Sequence, residues 1–126
     1  MPLYFAAGSK NSVLSDADLA RGLTTAREAR PAGRVLAIPP DFTRFESRAG
    51  RLTCLAYQHL GDRLVDVLPA LGTHFPMADW QLQAMFPTVP AERIRPHRWR
   101  DDVVTLGEVP AEFVQRVTGG LYDQPW

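Results

Sequence analysis

The sequence has one cysteine, little lysine and no net charge, and each of these shortages excludes a class of protein. Cys54 alone cannot form an internal disulfide framework or supply a cysteine-based zinc module. Basic and acidic residues number 14 each, so no overall field attracts nucleic acid or a membrane surface. No apolar run approaches the roughly 18 residues of a membrane-spanning helix, and the N-terminus is too weakly apolar for a signal peptide. We therefore expect a cytoplasmic protein without a nucleic-acid or membrane partner.

The length and the remaining composition favour one folded domain. The chain has 126 residues, of which 45% are hydrophobic, enough to fill a single core. Lys10 is its only lysine, so the other basic residues are all arginine. A mechanism that needs a reactive lysine therefore has one candidate, close to the N-terminus.

Apolar spacing and capping signals predict alternating helices and strands. In chain order they predict a helix capped by Ser15 and ended by Pro31 and Gly33, a strand at 35–39, a helix at 49–59, a strand at 64–71, a helix opened by Pro76 and broken by Pro87, short strands at 94 and 103–106, and a helix at 110–117. The first strand is apolar on both faces, which is typical of a buried parallel strand. Pro69 weakens the prediction of the second strand, because proline cannot donate to a ladder. The alternation favours a single α/β domain, 1–126, with a Rossmann-like open, mostly parallel sheet flanked by helices.

Two polar clusters follow the carboxyl ends of the two main predicted strands. Their members are Asp41, Thr43 and Arg44 in one cluster, and Gly72, Thr73 and His74 in the other. Ligands bind at this edge of open parallel sheets, since loops and helix N-termini meet there. Arg44 can hold a carboxylate or phosphate, His74 can exchange a proton near neutral pH just before a helix N-terminus, and Gly72 admits close backbone approach. The pattern predicts an anion site with a titratable base.

A structural explanation of the same residues stays open. Asp41 and Thr43 also suit a turn after the strand, and Arg44 can pair with Glu46 on the surface. His74 can cap a helix or fill a polar gap. Two clusters at matched strand ends favour a site over this explanation.

Other candidate groups carry weaker signals. Cys54 and His59 are spaced so that they do not share a helix face, which indicates ordinary packing or surface positions. The basic stretch 93–100 contains His97 and Trp99 and could grip a phosphate backbone, but two aspartates follow it at once. We interpret it as a solvated edge loop. The sequence contains no glycine-rich dinucleotide fingerprint and no P-loop.

From about Val35 to its end the chain resembles the lactate racemase family, whose members depend on a nickel pincer nucleotide. The segment 40–44 (PDFTR) looks like the family's D-x-T-R signature, and 68–77 (LPALGTHFPM) is similar to its A-L-G-T-H-R-P-M segment. The stretch from Gly107 to Tyr122 also resembles the part that follows in some members. The two motifs occur in the family's order and spacing.

The resemblance implies an isomerase that racemises or epimerises a 2-hydroxy acid by proton-coupled hydride transfer. It implies His74 as one of two general acid/bases and Arg44 as the group that holds the substrate carboxylate or the developing oxyanion. Asp41 and Thr43, with Gly72 and Thr73, then correspond to loops that position cofactor and substrate. The chain departs from the pattern at Phe75, where arginine is usual, and at Phe45, where proline is frequent. Both changes make the site less polar.

The resemblance covers only the N-terminal part of the family's N-terminal domain. The family's second histidine, its cofactor-tethering lysine and its nickel-ligating histidine lie further downstream, and this chain has no lysine after Arg44. We therefore expect an incomplete site that a C-terminal segment or partner subunit completes. We expect Met77, Trp80 and Phe86 to include surface that packs on the missing portion, so that formation of a homodimer or aggregation is a further outcome. The alternative function is a small carboxylate- or phosphate-binding module without catalysis.

Overall fold

The structure, a computed structural model, describes residues 3–31 and 33–126. Its helices and strands are α1 (Asp16–Ala29), β1 (Val35–Ala37), α2 (Ala49–Leu60), β2 (Leu64–Val67), α3 (Asp79–Met85) and α4 (Ala111–Val117). Short 3₁₀ turns occur at Phe42–Ser47, Gly61–Arg63 and Ala91–Arg93. Within these ranges no helix combines the length and hydrophobicity that crossing a membrane requires.

Helix α1 begins where the capping signal predicts. The Ser15 hydroxyl accepts a hydrogen bond from the backbone N–H of Asp18, and the Asp18 carboxylate accepts one from the backbone N–H of Ser15. This reciprocal pair satisfies two of the N–H groups that a helix start leaves free. Asp16 then joins α1 to α2, because its carboxylate accepts hydrogen bonds from Arg48 and Arg51.

Strands β1 and β2 form a two-stranded parallel sheet, which is flanked by helices. Beyond the strands, Ala37 C=O accepts from Leu68 N–H, and Pro39 C=O accepts from Ala70 N–H, both at 2.8 Å. The pairing therefore continues to a parallel bridge between Pro40 and Ala70. Pro69 is tolerated because the N–H groups of its neighbours, Leu68 and Ala70, donate the hydrogen bonds that pair the two segments.

The core lies between β2, α2 and α3. Six buried residues form it: Cys54, Leu64, Val67, Met85, Phe86 and Val89. Each comes from a predicted element or from the segment directly after α3. The expectation that Phe86 contributes to an exposed apolar surface is wrong, because Phe86 is buried in this core, whereas Trp80 is exposed. The coarse prediction of an α/β fold is confirmed, with a smaller regular sheet than the sequence pattern predicts.

The first predicted strand is not buried on both faces. Leu36 is 50% exposed and Ile38 is 61% exposed, so one face of β1 is covered and the other is open. The regular second strand is also shorter than 64–71, because it ends at Val67. Its continuation to Ala70 is an isolated bridge rather than regular strand.

Two predictions from the later part of the chain need correction. Helix α3 begins at Asp79 rather than at Pro76, with its start fixed by the Gln81 side chain, which accepts from Ala78 N–H. Residues 103–106 form no strand and are exposed, because no strand in the described ranges pairs with them. Ile94 makes a single parallel bridge to Val67, and α4 matches its predicted range to within one residue.

Candidate functional site

The end of the parallel pairing brings the two predicted polar clusters to one edge of the sheet. The last bridge joins Pro40 to Ala70, so Asp41 and Leu71 are the first residues beyond it. Asp41 starts the 3₁₀ turn 42–47, and Leu71 starts a turn that is closed by the His74 N–H donating to the Leu71 carbonyl at 3.0 Å. Asp41 and His74 therefore face each other across neighbouring strand ends.

Asp41 is the buried centre of this site. Its side chain is hydrogen-bonded through both oxygens although the residue is only 5% exposed. Oδ1 accepts from the Thr43 backbone N–H at 3.1 Å and from the Thr43 hydroxyl at 2.5 Å. Oδ2 lies 2.6 Å from Nδ1 of His74. Asp41 therefore forms the turn through Oδ1 and contacts His74 through Oδ2, so the two roles do not compete.

The hydrogen bonds keep the Asp41 carboxylate ionised despite its burial. Burial raises the pKa of Asp41, but the hydrogen bonds from Thr43 and His74 lower it, and the balance leaves this pKa below its ordinary value. An ionised carboxylate only accepts hydrogen bonds. The hydrogen in the contact with His74 therefore sits on Nδ1 of the imidazole.

This contact leaves the other nitrogen of His74 available. With hydrogen on Nδ1, the neutral ring has its free lone pair on Nε2. The His74 side chain is 51% exposed, so a small solute can reach the ring. A carboxylate that fixes the tautomer and orientation of a histidine is the arrangement that general bases use.

Gly72 shapes the turn that carries His74. Its φ is 58°, the left-handed region that favours glycine, at the first central position of the turn. Thr73 occupies the second central position and is exposed. Because α3 starts only at Asp79, His74 does not lie at a helix N-terminus, contrary to the sequence prediction.

Arg44 provides the positive charge of the site. Its Nη1 donates to the Thr43 hydroxyl at 3.3 Å, and that hydroxyl donates to Asp41. No ion pair within the described ranges contains Arg44, so the predicted alternative pairing with Glu46 is not formed there. The guanidinium is exposed and can bind an anion.

His97 contacts the same turn, which the sequence did not indicate. Its Nδ1 accepts a hydrogen bond from the backbone N–H of Leu71 at 3.2 Å. The histidine also lines a cavity of about 100 Å³ with Leu71 and Met77. The only signal in the sequence is a histidine after Pro96 in an irregular segment, and nothing in that pattern identifies its partner.

The remaining candidates lie apart from this site. Cys54 is buried in the core, and the His59 ring lies 3.5 Å from the Thr24 hydroxyl. In the basic stretch, Arg93 pairs with Asp62 and Arg95 with Asp66. These pairs offset part of the local charge, although the absence of a nucleic-acid partner stays a prediction.

The residues of this chain do not fit the nickel pincer nucleotide that the resemblance implies. In the described parts of the chain, no cluster of three histidine, cysteine or acidic side chains is arranged to hold a metal. The Asp41 oxygens are already engaged by Thr43 and His74. Lys10, the only lysine, precedes the region of resemblance. Any such cofactor needs a tether and a metal ligand from outside these residues.

Comparisons with known proteins support the fold. No protein-family model and no curated protein matches the sequence. The structure is similar to the crystal structure of a structural genomics target from Thermotoga maritima, with a TM-score of 0.68 and 24% sequence identity. The similarity covers 89% of this chain and 29% of the Thermotoga chain, so this chain spans less than a third of that protein. At this identity the likeness shows a shared fold alone.

Proposed function

We propose that the sheet edge forms the proton-transfer part of an isomerase that resembles lactate racemase and acts on a 2-hydroxy acid. The observation that carries the proposal is the 2.6 Å contact between Asp41 Oδ2 and His74 Nδ1, made by a histidine that remains half-exposed. We also propose that the two paired strands, with the bridge at Ile94, belong to a Rossmann-like sheet. Such sheets present their ligand sites at the edge where Asp41 and His74 meet.

His74 is the base for the substrate hydroxyl in this proposal. Its Nε2 takes the hydroxyl proton, and the positive charge that develops on the imidazole is stabilised by the Asp41 carboxylate through Nδ1. The return of that proton to the same oxygen completes the acid role. Only this proton step is assigned to the chain. The acceptor for the hydride on the neighbouring carbon has to come from elsewhere.

Arg44 orients the substrate by binding its carboxylate. The guanidinium is exposed and is connected to Asp41 through the Thr43 hydroxyl. A 2-hydroxy acid carries its carboxylate one carbon away from the hydroxyl, so an arginine and a base on adjacent loops can engage both groups.

Lactate and propionate distinguish this function from simple anion binding, because they differ by the hydroxyl. We expect lactate added to the full chain to change the ¹⁵N chemical shift of His74 Nε2, whereas propionate leaves that nitrogen nearly unchanged. Arg44→Ala abolishes binding of both acids. Arg34→Ala removes an exposed arginine between α1 and β1 and serves as the matched control.

The small-anion module remains the second candidate, since the free charge of Arg44 also supports it. In that case lactate and propionate bind equally, binding survives His74→Ala, and the Nε2 shift does not depend on the hydroxyl. Equal responses to the two acids therefore contradict the isomerase proposal. Binding that is retained in Arg44→Ala contradicts both candidates.

A further inference from the structure

We propose that His97 is a positioning residue for His74, because it anchors the turn that places the His74 imidazole on Asp41. The role of His97 in binding a hydroxy acid rests on the proposed function. Its role in holding the turn rests on the geometry alone.

Leu71 is the link between the two histidines. Its N–H donates to His97 Nδ1 at 3.2 Å, and its carbonyl accepts from the His74 N–H at 3.0 Å. Leu71 is 4% exposed and lies one residue beyond the last bridge of the sheet. Leu68 and Ala70 donate to the β1 side, so the Leu71 N–H points to the opposite side. On that side Arg95 N–H donates to the Val67 carbonyl, and the His97 ring takes the place of a backbone acceptor. A buried N–H without an acceptor costs as much free energy as a lost hydrogen bond.

The bond requires one protonation state of His97. An imidazole nitrogen accepts a hydrogen bond only when it carries no hydrogen, so Nδ1 must be bare and the proton must sit on Nε2. Among the residues lining the adjacent cavity, Arg95 is the one other charged group, and its guanidinium pairs with Asp66 at 2.7 Å. The other lining residues are apolar. Protonation of the ring places a hydrogen on Nδ1, so that Nδ1 can no longer accept from the Leu71 N–H and this hydrogen bond is lost.

Loss of this bond acts on His74 through a short path. The turn from Leu71 to His74 has one hydrogen bond of its own, and Gly72 within it is conformationally permissive. The His97 bond fixes where that turn starts. When the bond between Leu71 and His97 is lost, the His74 ring is no longer held at 2.6 Å from Asp41. The fraction of molecules in which Nε2 carries no hydrogen and faces the site then falls.

Two substitutions of His97 distinguish the effect of losing the hydrogen-bond acceptor from the effect of losing the imidazole ring. His97→Asn places an amide oxygen near the position of Nδ1 and keeps an acceptor, whereas His97→Leu removes it. His59→Leu is the control, because His59 is an exposed histidine on α2. Three readouts are needed on the full chain: amide hydrogen exchange of Leu71, ¹⁵N shifts of the His74 ring, and lactate affinity.

We expect His97→Leu to speed Leu71 exchange about tenfold, the effect of losing one buried hydrogen bond. The same variant shifts the His74 nitrogens toward a mixture of tautomers and weakens lactate binding. His97→Asn restores all three values toward those of the unsubstituted chain, and His59→Leu changes none.

Unchanged Leu71 exchange in His97→Leu overturns the proposal. So does faster exchange with unaltered His74 ring shifts, since His97 then stabilises the turn without positioning the base. If His97→Leu does not fold, His97→Ala, which also lacks the acceptor, is compared with His97→Asn by the same three readouts. Failure of lactate to bind the unsubstituted chain counts against the proposed function, and it leaves the exchange and ring-shift results to judge His97.

Discussion

The central part of the chain, residues 35–97, and the C-terminal part, residues 98–126, contain similar apolar runs. One run forms a buried strand, and the other is exposed and irregular. In the centre, Leu64–Val67 becomes strand β2, and both end residues are 0% exposed. In the C-terminal part, Val104 is 82% exposed and Leu106 is 99% exposed, with no regular structure. Val114 is the one buried hydrophobic residue of that part.

The difference shows that an apolar run forms a strand only where a neighbour completes it. β2 receives hydrogen bonds through its pairing with β1 and packs against α2 and α3. The run at 103–106 has neither kind of partner in the described ranges. Because the polar site is built on the ends of the paired strands, its geometry depends on the central part and not on the C-terminal part.

The sharpest comparison substitutes one leucine in each part. Leu64→Ala removes a fully buried side chain and is expected to lower the free energy of unfolding by about 2–5 kcal/mol. Leu106→Ala removes an exposed side chain and is expected to change it by no more than about 0.5 kcal/mol. Urea unfolding followed by circular dichroism measures both. Similar losses in the two variants are incompatible with an unpacked C-terminal run.

A glycine pair sharpens the same comparison at the backbone. A Cβ on Gly50 overlaps the Met85 carbonyl oxygen, so α2 and the end of α3 have to separate in Gly50→Ala. We expect a loss of about 1–3 kcal/mol in the free energy of unfolding. Gly107→Ala meets no atom within 4 Å and serves as the control. A Gly50→Ala variant as stable as Gly107→Ala contradicts the close packing of α2 on Met85.

Local signals in the sequence were enough to predict much of the central part. The capping pattern at Ser15 marks the start of α1, and Gly61, with φ 55°, ends α2 as predicted. The order of strands and polar segments also placed Asp41 and His74 at one edge. Such features depend on neighbouring residues and on the general geometry of parallel strands.

The features that the sequence did not reveal depend on distant partners. Whether Leu36 is covered depends on an element packing over β1, and the strand's own apolar pattern cannot supply that information. The bond between Leu71 and His97 joins residues 26 positions apart through a single side chain. The predicted helix start at Pro76 was wrong because the Gln81 side chain caps the helix at Ala78, so α3 begins at Asp79, three residues after Pro76.

The smallest expected effect concerns the buried charge that distinguishes the site from the exposed carboxylates of the C-terminal part. Because the pKa of Asp41 is lower in the folded chain than in the unfolded chain, the unfolded state binds its proton first as the pH falls. Asp41 therefore contributes stability above the ordinary aspartate pKa of about 3.9, and this contribution is lost as the pH falls through the lower folded value.

Asp41→Asn isolates that contribution. Asparagine still caps the turn and accepts from Thr43, but its NH₂ cannot accept the hydrogen on Nδ1 of His74. We expect the variant to be about 1 kcal/mol less stable than the unsubstituted chain at pH 5, with the gap closing toward pH 3. Asp102→Asn, at an exposed carboxylate, is expected to leave the acid limb of the stability curve unchanged. A constant difference in stability between Asp41→Asn and the unsubstituted chain from pH 5 to pH 3 means that the pKa of Asp41 is the same in the folded and the unfolded chain. The hydrogen bonds from Thr43 and His74 then do not stabilise the ionised form of this carboxyl group.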